Sequence, residues 1–182
     1  MTIIKVCGIT NLNDALLAIE AGANALGFVF APSPRQVSPR DASKIIQAIP
    51  PLVERVGVFV NATHENVLET AAACKLTCLQ FHGDEQPTFC AQHGRPWLRA
   101  LRMRPDIDLL AEARRFDQAR GLLLDAYRPD LPGGTGETFD WGRVPADLAR
   151  RVIVAGGLDP SNVGAAVRSL RPYAVDVSGG VE

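Results

Sequence analysis

The chain has 182 residues, of which 47% are hydrophobic and 21% charged, and its formal net charge is −1. This composition is typical of a globular domain and argues against a disordered or coiled-coil chain. Because no segment is strongly basic and no apolar run is long enough to span a bilayer, we expect neither nucleic-acid nor membrane binding. The N-terminus lacks the basic and apolar regions of a signal peptide, so the expected location is cytoplasmic.

Eight short apolar segments, rich in Val, Ile, Leu and Phe, predict β-strands. In chain order they cover residues 3–6, 25–30, 55–60, 78–82, 97–103, 121–126, 151–155 and 174–178. Several are apolar almost throughout, which is typical of parallel strands that are covered on both faces.

Amphipathic patterns between these segments predict helices. Thr10, Ser38 and Asp159 are the predicted N-caps of three of them, and Pro39 and Pro160 follow the last two caps at the first helical position. Weaker helical patterns cover residues 63–75, 85–93 and 106–118, and a loop-rich segment with a short helix near its end covers 127–150.

Alternating strands and helices leave two architectures, an open doubly wound sheet and a closed barrel. Eight similar units favour a (βα)₈ TIM barrel, formed as a single domain over residues 1–182. The sequence stops soon after the eighth predicted strand, so we expect the barrel to lack its final C-terminal helix and the chain to be a truncated form. The outward side chains of Ile4, Val6, Val175 and Val177 should then be open to water.

Polar residues recur at the C-terminal ends of the predicted strands, where barrel enzymes carry their chemistry. Strand alternation places Cys7 and Asp125 on inward-facing positions at this end. A thiol and a carboxylate across one pocket are suited to act as a general base and a general acid. Lys5 either favours the Cys7 thiolate through its charge or pairs with a carboxylate such as Asp176.

Other residues at the same rim are candidates for substrate binding. Glycines after the seventh and eighth strands let backbone N–H groups approach a phosphate, namely Gly156, Gly157, Gly179 and Gly180. Arg35 either holds a substrate carboxylate or is a solvated loop residue. His82 is either a site residue or a hydrogen-bonded histidine at the rim. A glycine-rich segment after the sixth strand predicts a loop over the site, formed by Gly133, Gly134, Thr135 and Gly136.

The remaining histidines and cysteines have simpler interpretations. His64 and His93 are predicted to lie on the surfaces of helices. Cys74, Cys78 and Cys90 are predicted to be small buried apolar residues. The cysteine spacing does not match a zinc site, so no metal is expected.

The chain resembles the phosphoribosylanthranilate isomerase family in nine segments that occur in the family's order. They are KVCGIT (5–10), GFVF (27–30), SPR (33–35), VGVFVN (56–61), QFHG (80–83), LD (124–125), GGTG with FDW (133–136 and 139–141), AGGL with NV (155–158 and 162–163), and DVS (176–178). The resemblance implies a (βα)₈ barrel and an Amadori rearrangement in tryptophan biosynthesis that needs no cofactor. The substrate would be N-(5-phosphoribosyl)anthranilate and the product 1-(2-carboxyphenylamino)-1-deoxyribulose 5-phosphate.

The resemblance also implies roles for individual residues. It implies that Cys7 is the general base, that Asp125 is the general acid and that Arg35 lies near the anthranilate carboxylate. His82 and Asp176 are two further candidates for contacts with the substrate, on the basis of their positions at the strand ends and not of the resemblance. The phosphate-binding backbone would come from Gly156, Gly157, Ser178, Gly179 and Gly180. Family members occur as monomers and homodimers, and either state is expected here.

Two departures from the family's pattern stand in the sequence. Phe81 replaces the common Leu on an outward position, where we expect no effect on the site. Gly179 replaces a common second serine, and this change predicts weaker phosphate binding if that serine's side chain contributes.

Two alternatives remain open. Related barrel isomerases of histidine biosynthesis use paired aspartates at the ends of strands 1 and 5, and Cys7 at the first strand disfavours them. A non-catalytic phosphosugar-binding barrel would need neither Cys7 nor Asp125.

Overall fold

The computed structural model describes residues 2–126 and 138–182. These residues form eight parallel strands, which are β1 (Ile3–Cys7), β2 (Ala25–Val29), β3 (Glu54–Phe59), β4 (Cys78–Phe81), β5 (Trp97–Arg102), β6 (Gly121–Asp125), β7 (Val152–Val154) and β8 (Ala174–Val177). They pair in chain order, and β1 pairs with β8 to close the ring. This arrangement confirms the predicted (βα)₈ barrel.

Helices surround this barrel. Those in the described stretches are α1 (Leu12–Glu20), α2 (Pro39–Ala48), α3 (His64–Ala73), α4 (Pro87–Ala91), α5 (Leu109–Arg115) and α6 (Val163–Leu170), with 3₁₀ turns at Trp141–Arg143, Ala146–Arg151 and Gly179–Val181. Over 2–126 and 138–182, no helix is long and apolar enough to cross a membrane. Within the same residues only the last of the 3₁₀ turns follows β8, in agreement with the predicted lack of a final helix.

The helix starts agree with the sequence at Ser38 but differ at the other two predicted caps. The Ser38 side chain accepts a hydrogen bond from the Asp41 N–H, as a cap should. In α1 the cap is Asn11, one residue after the predicted Thr10. The Asp159 side chain accepts from the Ser161 and Asn162 N–H groups and closes a turn there, so α6 begins only at Val163.

Side chains from alternate strand positions form two separate clusters. The inner cluster fills the barrel and contains Ala25, Val56, Cys78, Leu98, Ala100, Leu123, Ile153, Ala155 and Ala174. The outer cluster includes Leu122, Leu124 and Phe81 and lies between the strands and the helices. Because the inner cluster fills the barrel, the polar residues that follow it on the inward face lie at the C-terminal ends of the strands.

The outer face of β1 and β8 is only partly exposed. Ile4 has 37% of its surface exposed, and Val6 and Val177 are half-buried. The prediction was wrong for Val175, which is 4% exposed and belongs to the outer cluster. The same cluster also contains Ala166 of α6, the helix that precedes β8.

Candidate active site

A buried ion pair lies below the mouth of the barrel. Lys5 of β1 and Asp176 of β8 are directly opposite each other in the strand register, and Lys5 Nζ lies 2.8 Å from Asp176 Oδ1. Lys5 lies two residues after Ile3, which packs against the inner cluster, and Asp176 lies two residues after Ala174, which belongs to it. Because side chains alternate along a strand, both residues face inward. Burial alone lowers the pKa of Lys5, but the Asp176 carboxylate and the Cys7 thiol together outweigh this effect and raise it. The pairing with Asp176 considered for Lys5 is thus confirmed.

Cys7 lies two residues beyond Lys5 on the same inward face and is partly exposed at the mouth. Gly27 of β2 provides the space for this thiol, because a Cβ at Gly27 would lie 2.6 Å from Cys7 Sγ and 3.1 Å from Lys5 Nζ. Desolvation raises the pKa of Cys7, the Lys5 ammonium lowers it and the Asp176 carboxylate raises it again. The net direction is upward, so Lys5 only partly offsets the effect of burial.

Asp125 ends β6 and faces inward, because Leu122 and Leu124 occupy outward positions. Its Oδ2 atom lies 3.3 Å from His82 Nε2. His82 Nδ1 lies 3.4 Å from Nε2 of Gln80, which is 1% exposed. Gln80 and Asp125 thus contact the two ring nitrogens of His82 from opposite sides.

Arg35 lies at the same mouth, after β2. A Cβ on Gly8 or on Gly179 would contact its side chain, so the guanidinium lies between the loops that follow β1 and β8. Arg35 Nη2 donates to Glu182 Oε2 at 3.0 Å, and Arg35 Nε donates to the other oxygen of that carboxylate. Arg35 is therefore not a freely solvated loop residue, and it already holds a carboxylate in two-pronged geometry.

The loops after β7 and β8 lie against each other. Gly156 and Gly157 have φ values of +77° and +64°, a conformation that glycine adopts without strain. A Cβ at Gly156 would lie 2.9 Å from Asp125 Oδ1, and one at Gly180 would lie 3.1 Å from Asp159 Cα. Ser178 begins the turn that contains Gly179 and Gly180. The predicted phosphate-binding residues are thus neighbours at the rim next to Asp125.

Three predictions about other residues can be compared with the structure. Cys74, Cys78 and Cys90 are buried, as predicted. His93 is not on the surface but 3% exposed, because it packs against Phe81 and Phe89. His64 is half-buried beside it, with Nδ1 3.2 Å from His93 Nε2. The predicted loop of Gly133, Gly134, Thr135 and Gly136 lies outside the described residues.

The sequence analysis did not single out Gln80, Gly27 or Glu182 as parts of the site. Gln80 was detectable, since it stands two residues before His82 in a strand whose polar positions face inward. Gly27 and Glu182 had no such local signal, because their roles depend on which strands and loops become neighbours. In the described part of the chain, no three His, Cys, Asp or Glu side chains are grouped so that they could hold a metal ion.

Known proteins match this chain over nearly all of its length. The family described as N-(5'phosphoribosyl)anthranilate (PRA) isomerase matches residues 4–182. The N-(5'-phosphoribosyl)anthranilate isomerase of Pseudomonas putida (strain F1) is 56% identical over 179 residues, which are 98% of this chain and 87% of that protein. The corresponding protein of Thiobacillus denitrificans is 53% identical over 180 residues, covering 98% of this chain and 88% of its own.

Solved structures of phosphoribosyl anthranilate isomerases also match this chain over its whole length. The phosphoribosyl anthranilate isomerase of Thermotoga maritima superposes with a TM-score of 0.92 and 42% identity, covering 100% of this chain and 90% of that one. A phosphoribosyl anthranilate isomerase in complex with reduced 1-(o-carboxyphenylamino)-1-deoxyribulose 5-phosphate has a TM-score of 0.88 and 40% identity, covering 100% and 89%. Sequence and structure therefore agree that the chain belongs to the N-(5'-phosphoribosyl)anthranilate isomerase family.

Proposed function

We propose that this chain catalyses the Amadori rearrangement of N-(5'-phosphoribosyl)anthranilate to 1-(2-carboxyphenylamino)-1-deoxyribulose 5-phosphate in tryptophan biosynthesis. The observation that carries the proposal is the placement of Cys7 and Asp125 at one barrel mouth in a chain of this family. In the reaction Cys7 is the general base and Asp125 the general acid. The whole chain, residues 1–182, acts as a single barrel domain.

The chemistry needs one acid and one base. Asp125 protonates the ribose ring oxygen, the bond from C1 to this oxygen breaks, and the nitrogen lone pair forms an iminium ion. The cation acidifies the proton on C2, which the Cys7 thiolate removes, and the released electron pair forms an enolamine. Tautomerisation then gives the ketone. Because the substrate's own nitrogen accepts the electrons, we expect no cofactor.

The other site residues have supporting roles. His82 contacts the Asp125 carboxyl group and so holds it in position at the mouth. His82 faces the mouth and Asp176 lies just below it, so both side chains can form hydrogen bonds with the ribose hydroxyls. The Lys5 ammonium compensates the Asp176 charge and favours the Cys7 thiolate.

The two ends of the substrate meet different parts of the rim. Arg35 binds the anthranilate carboxylate, a role supported by its present two-pronged contact with the Glu182 carboxylate. The backbone of Gly156, Gly157, Ser178, Gly179 and Gly180 binds the phosphate. A small phosphoribosyl compound is thus the expected partner, rather than nucleic acid or membrane. We expect a cytoplasmic monomer or homodimer.

Turnover of N-(5'-phosphoribosyl)anthranilate by the purified chain tests the proposal, with substrate fluorescence as the signal. We expect fluorescence to be consumed by the wild type, and Cys7→Ala and Asp125→Asn each to lower kcat by at least about 10²–10⁴-fold. Cys74→Ala and Asp117→Asn, which alter a buried thiol and an exposed carboxylate in the segments that lead into β4 and β6, at the opposite end of the barrel from the mouth, are matched controls. Fluorescence that is perturbed but never consumed would instead indicate a binding protein. Near-normal kcat in Cys7→Ala or Asp125→Asn would contradict the role of that residue.

A further inference from the structure

A second buried ion pair lies outside the barrel interior. Arg99 of β5 and Glu85, just before α4, are joined by a 2.9 Å contact between Nη1 and Oε2, and their side chains are 10% and 3% exposed. The guanidinium also stacks on Phe116, with Cζ 4.8 Å from the ring centroid. A buried ion pair is by itself a weak source of stability, because desolvation offsets much of the attraction.

The pair binds the backbone of the loop that follows β4. Glu85 Oε2 accepts a hydrogen bond from the Gly83 N–H at 2.9 Å, and Arg99 Nη2 donates to the Gly83 carbonyl at 2.7 Å. Both polar groups of the Gly83 backbone are thus occupied by the same ion pair. Glu85 Oε1 also accepts from the Asn61 N–H at 2.7 Å, which ties this loop to the end of β3.

Gly83 directly follows His82, whose imidazole faces the active site. The His82 N–H donates to the Phe59 carbonyl at 2.9 Å, and His82 Nε2 lies 3.3 Å from Asp125 Oδ2. The backbone is therefore fixed on one side of His82 by β3 and on the other by Glu85 and Arg99. Loss of the Glu85 and Arg99 contacts removes both hydrogen bonds of the Gly83 backbone and leaves the contact of the Asp84 N–H with Asn61 Oδ1, at 2.7 Å, to hold this side of the loop, so the imidazole is held less firmly against Asp125.

We infer that Glu85 and Arg99 are positioning residues, which act through Gly83 to hold the His82 imidazole against Asp125. The inference rests on the proposed function, because it gives this contact a part in the acid step. It assigns a task in the reaction to two charged side chains that lie on the far side of the strand wall from the substrate.

The variant Glu85→Gln tests this role, since it keeps the size of the side chain and removes the charge that Arg99 binds. Glu112→Gln is a matched control, because Glu112 forms an ion pair with Arg115, and Arg115 stacks on the same Phe116 ring at 5.1 Å. A misplacement of about 1 Å in a site can cost about 100-fold in rate, so we expect kcat of Glu85→Gln to fall about 10- to 100-fold. Glu112→Gln should stay within about twofold of the wild type.

A double-variant cycle separates positioning from a general loss of structure. If Glu85 acts through His82, adding Glu85→Gln to His82→Asn should lower kcat by less than about twofold, because the contact to be positioned is already lost. A loosened fold would lower kcat by the same factor in both backgrounds, and that result would overturn the inference. If Glu85→Gln does not fold, Arg99→Lys is used in the same cycle.

A measurement that needs no turnover distinguishes failure of this inference from failure of the proposed function. The chain has three histidines, so the imidazole signal of His82 can be assigned in a proton–carbon NMR spectrum with His82→Asn. At a fixed pH, Glu85→Gln should move and broaden this signal, and Glu112→Gln should not. An unchanged His82 signal would overturn the inference. A wild type that does not convert the substrate would overturn the proposed function while the NMR result still decided the positioning role.

Discussion

The charges of Lys5 and Asp176 act on the Cys7 thiol in opposite directions, so we expect removal of one charge and removal of the other to change its reactivity in opposite directions. Lys5 Nζ and Cys7 Sγ both lie within 3.1 Å of the position that a Cβ on Gly27 would take, so the ammonium is a close neighbour of the thiol. The Asp176 carboxylate acts on the same thiol with the opposite sign. Lys5→Met should therefore raise the pKa of Cys7, and Asp176→Asn should lower it.

The size of the effect follows from the range of the interaction. An opposite charge within about 4–6 Å lowers a pKa by about 1–3 units, so its loss removes about 90–99.9% of the thiolate at neutral pH. The remaining thiolate is more nucleophilic, because nucleophilicity rises with pKa with a Brønsted slope of about 0.4–0.5. Together these two effects predict that Lys5→Met slows the reaction of Cys7 with a disulfide about 3- to 60-fold.

The assay is the rate of mixed-disulfide formation with cystamine, followed by mass spectrometry under native conditions. Cys7 is the only partly exposed thiol of the four, so it dominates the initial rate, and protection of the other three confirms that each variant is folded. Lys44→Met, which removes an exposed ammonium paired with Asp41 at 2.9 Å, is the control and should react like the wild type. Equal rates in Lys5→Met and wild type, or changes of the same sign in Lys5→Met and Asp176→Asn, would refute the reasoning.

Three further outcomes are expected. Arg35→Ala should weaken product binding about 10- to 100-fold, since a charge-assisted hydrogen bond contributes roughly 1.5–3 kcal/mol. Inhibition by the product and by a decarboxylated analogue measures this, and equal discrimination in both proteins would count against the contact. Gly27→Ala should lower kcat at least about tenfold and also lower the urea midpoint, because the added Cβ displaces the thiol and crowds the Lys5 ammonium; a wild-type kcat would contradict this. His93 is buried and its pKa is lowered, so its protonation destabilises the folded state, and the unfolding free energy should fall as the pH drops below about 6.5. Urea unfolding at pH 7.5 and 5.5 should show a smaller drop in His93→Phe than in the wild type, and an equal drop would exclude His93 as the cause.

The fold was largely predictable because buried parallel strands are apolar over most of their length. Each predicted strand corresponds to an observed one, with ends that differ by at most one residue. The first residues of the helices were predicted less accurately than the strands, because Thr10, Asn11 and Asp159 are all of residue types that can cap a helix or close a turn. Only the local backbone decides which of these roles each residue takes.

The site was predictable where it depends on strand alternation and not where it depends on contacts between distant segments. Cys7 and Asp125 face the mouth because the strand period places them there. The burial of His93 required Phe81 and Phe89 to surround it, and Glu85 meets Arg99 only because β4 and β5 are neighbours. Such pairs leave no periodic signal in the sequence.

The pairing of β1 with β8 has a consequence for how the protein becomes active. Lys5 and Asp176, which set the charge around Cys7, are 171 positions apart in the chain and meet only when the last strand joins the first. Contacts of such long range form late, because the loss of chain entropy on closing the ring precedes the gain from pairing. A partly folded chain with seven strands in place would have its inner cluster nearly complete and still lack the ion pair beneath the thiol. Recovery of turnover during refolding should therefore lag behind recovery of secondary structure, so that enzymatic activity reports the closure of the ring.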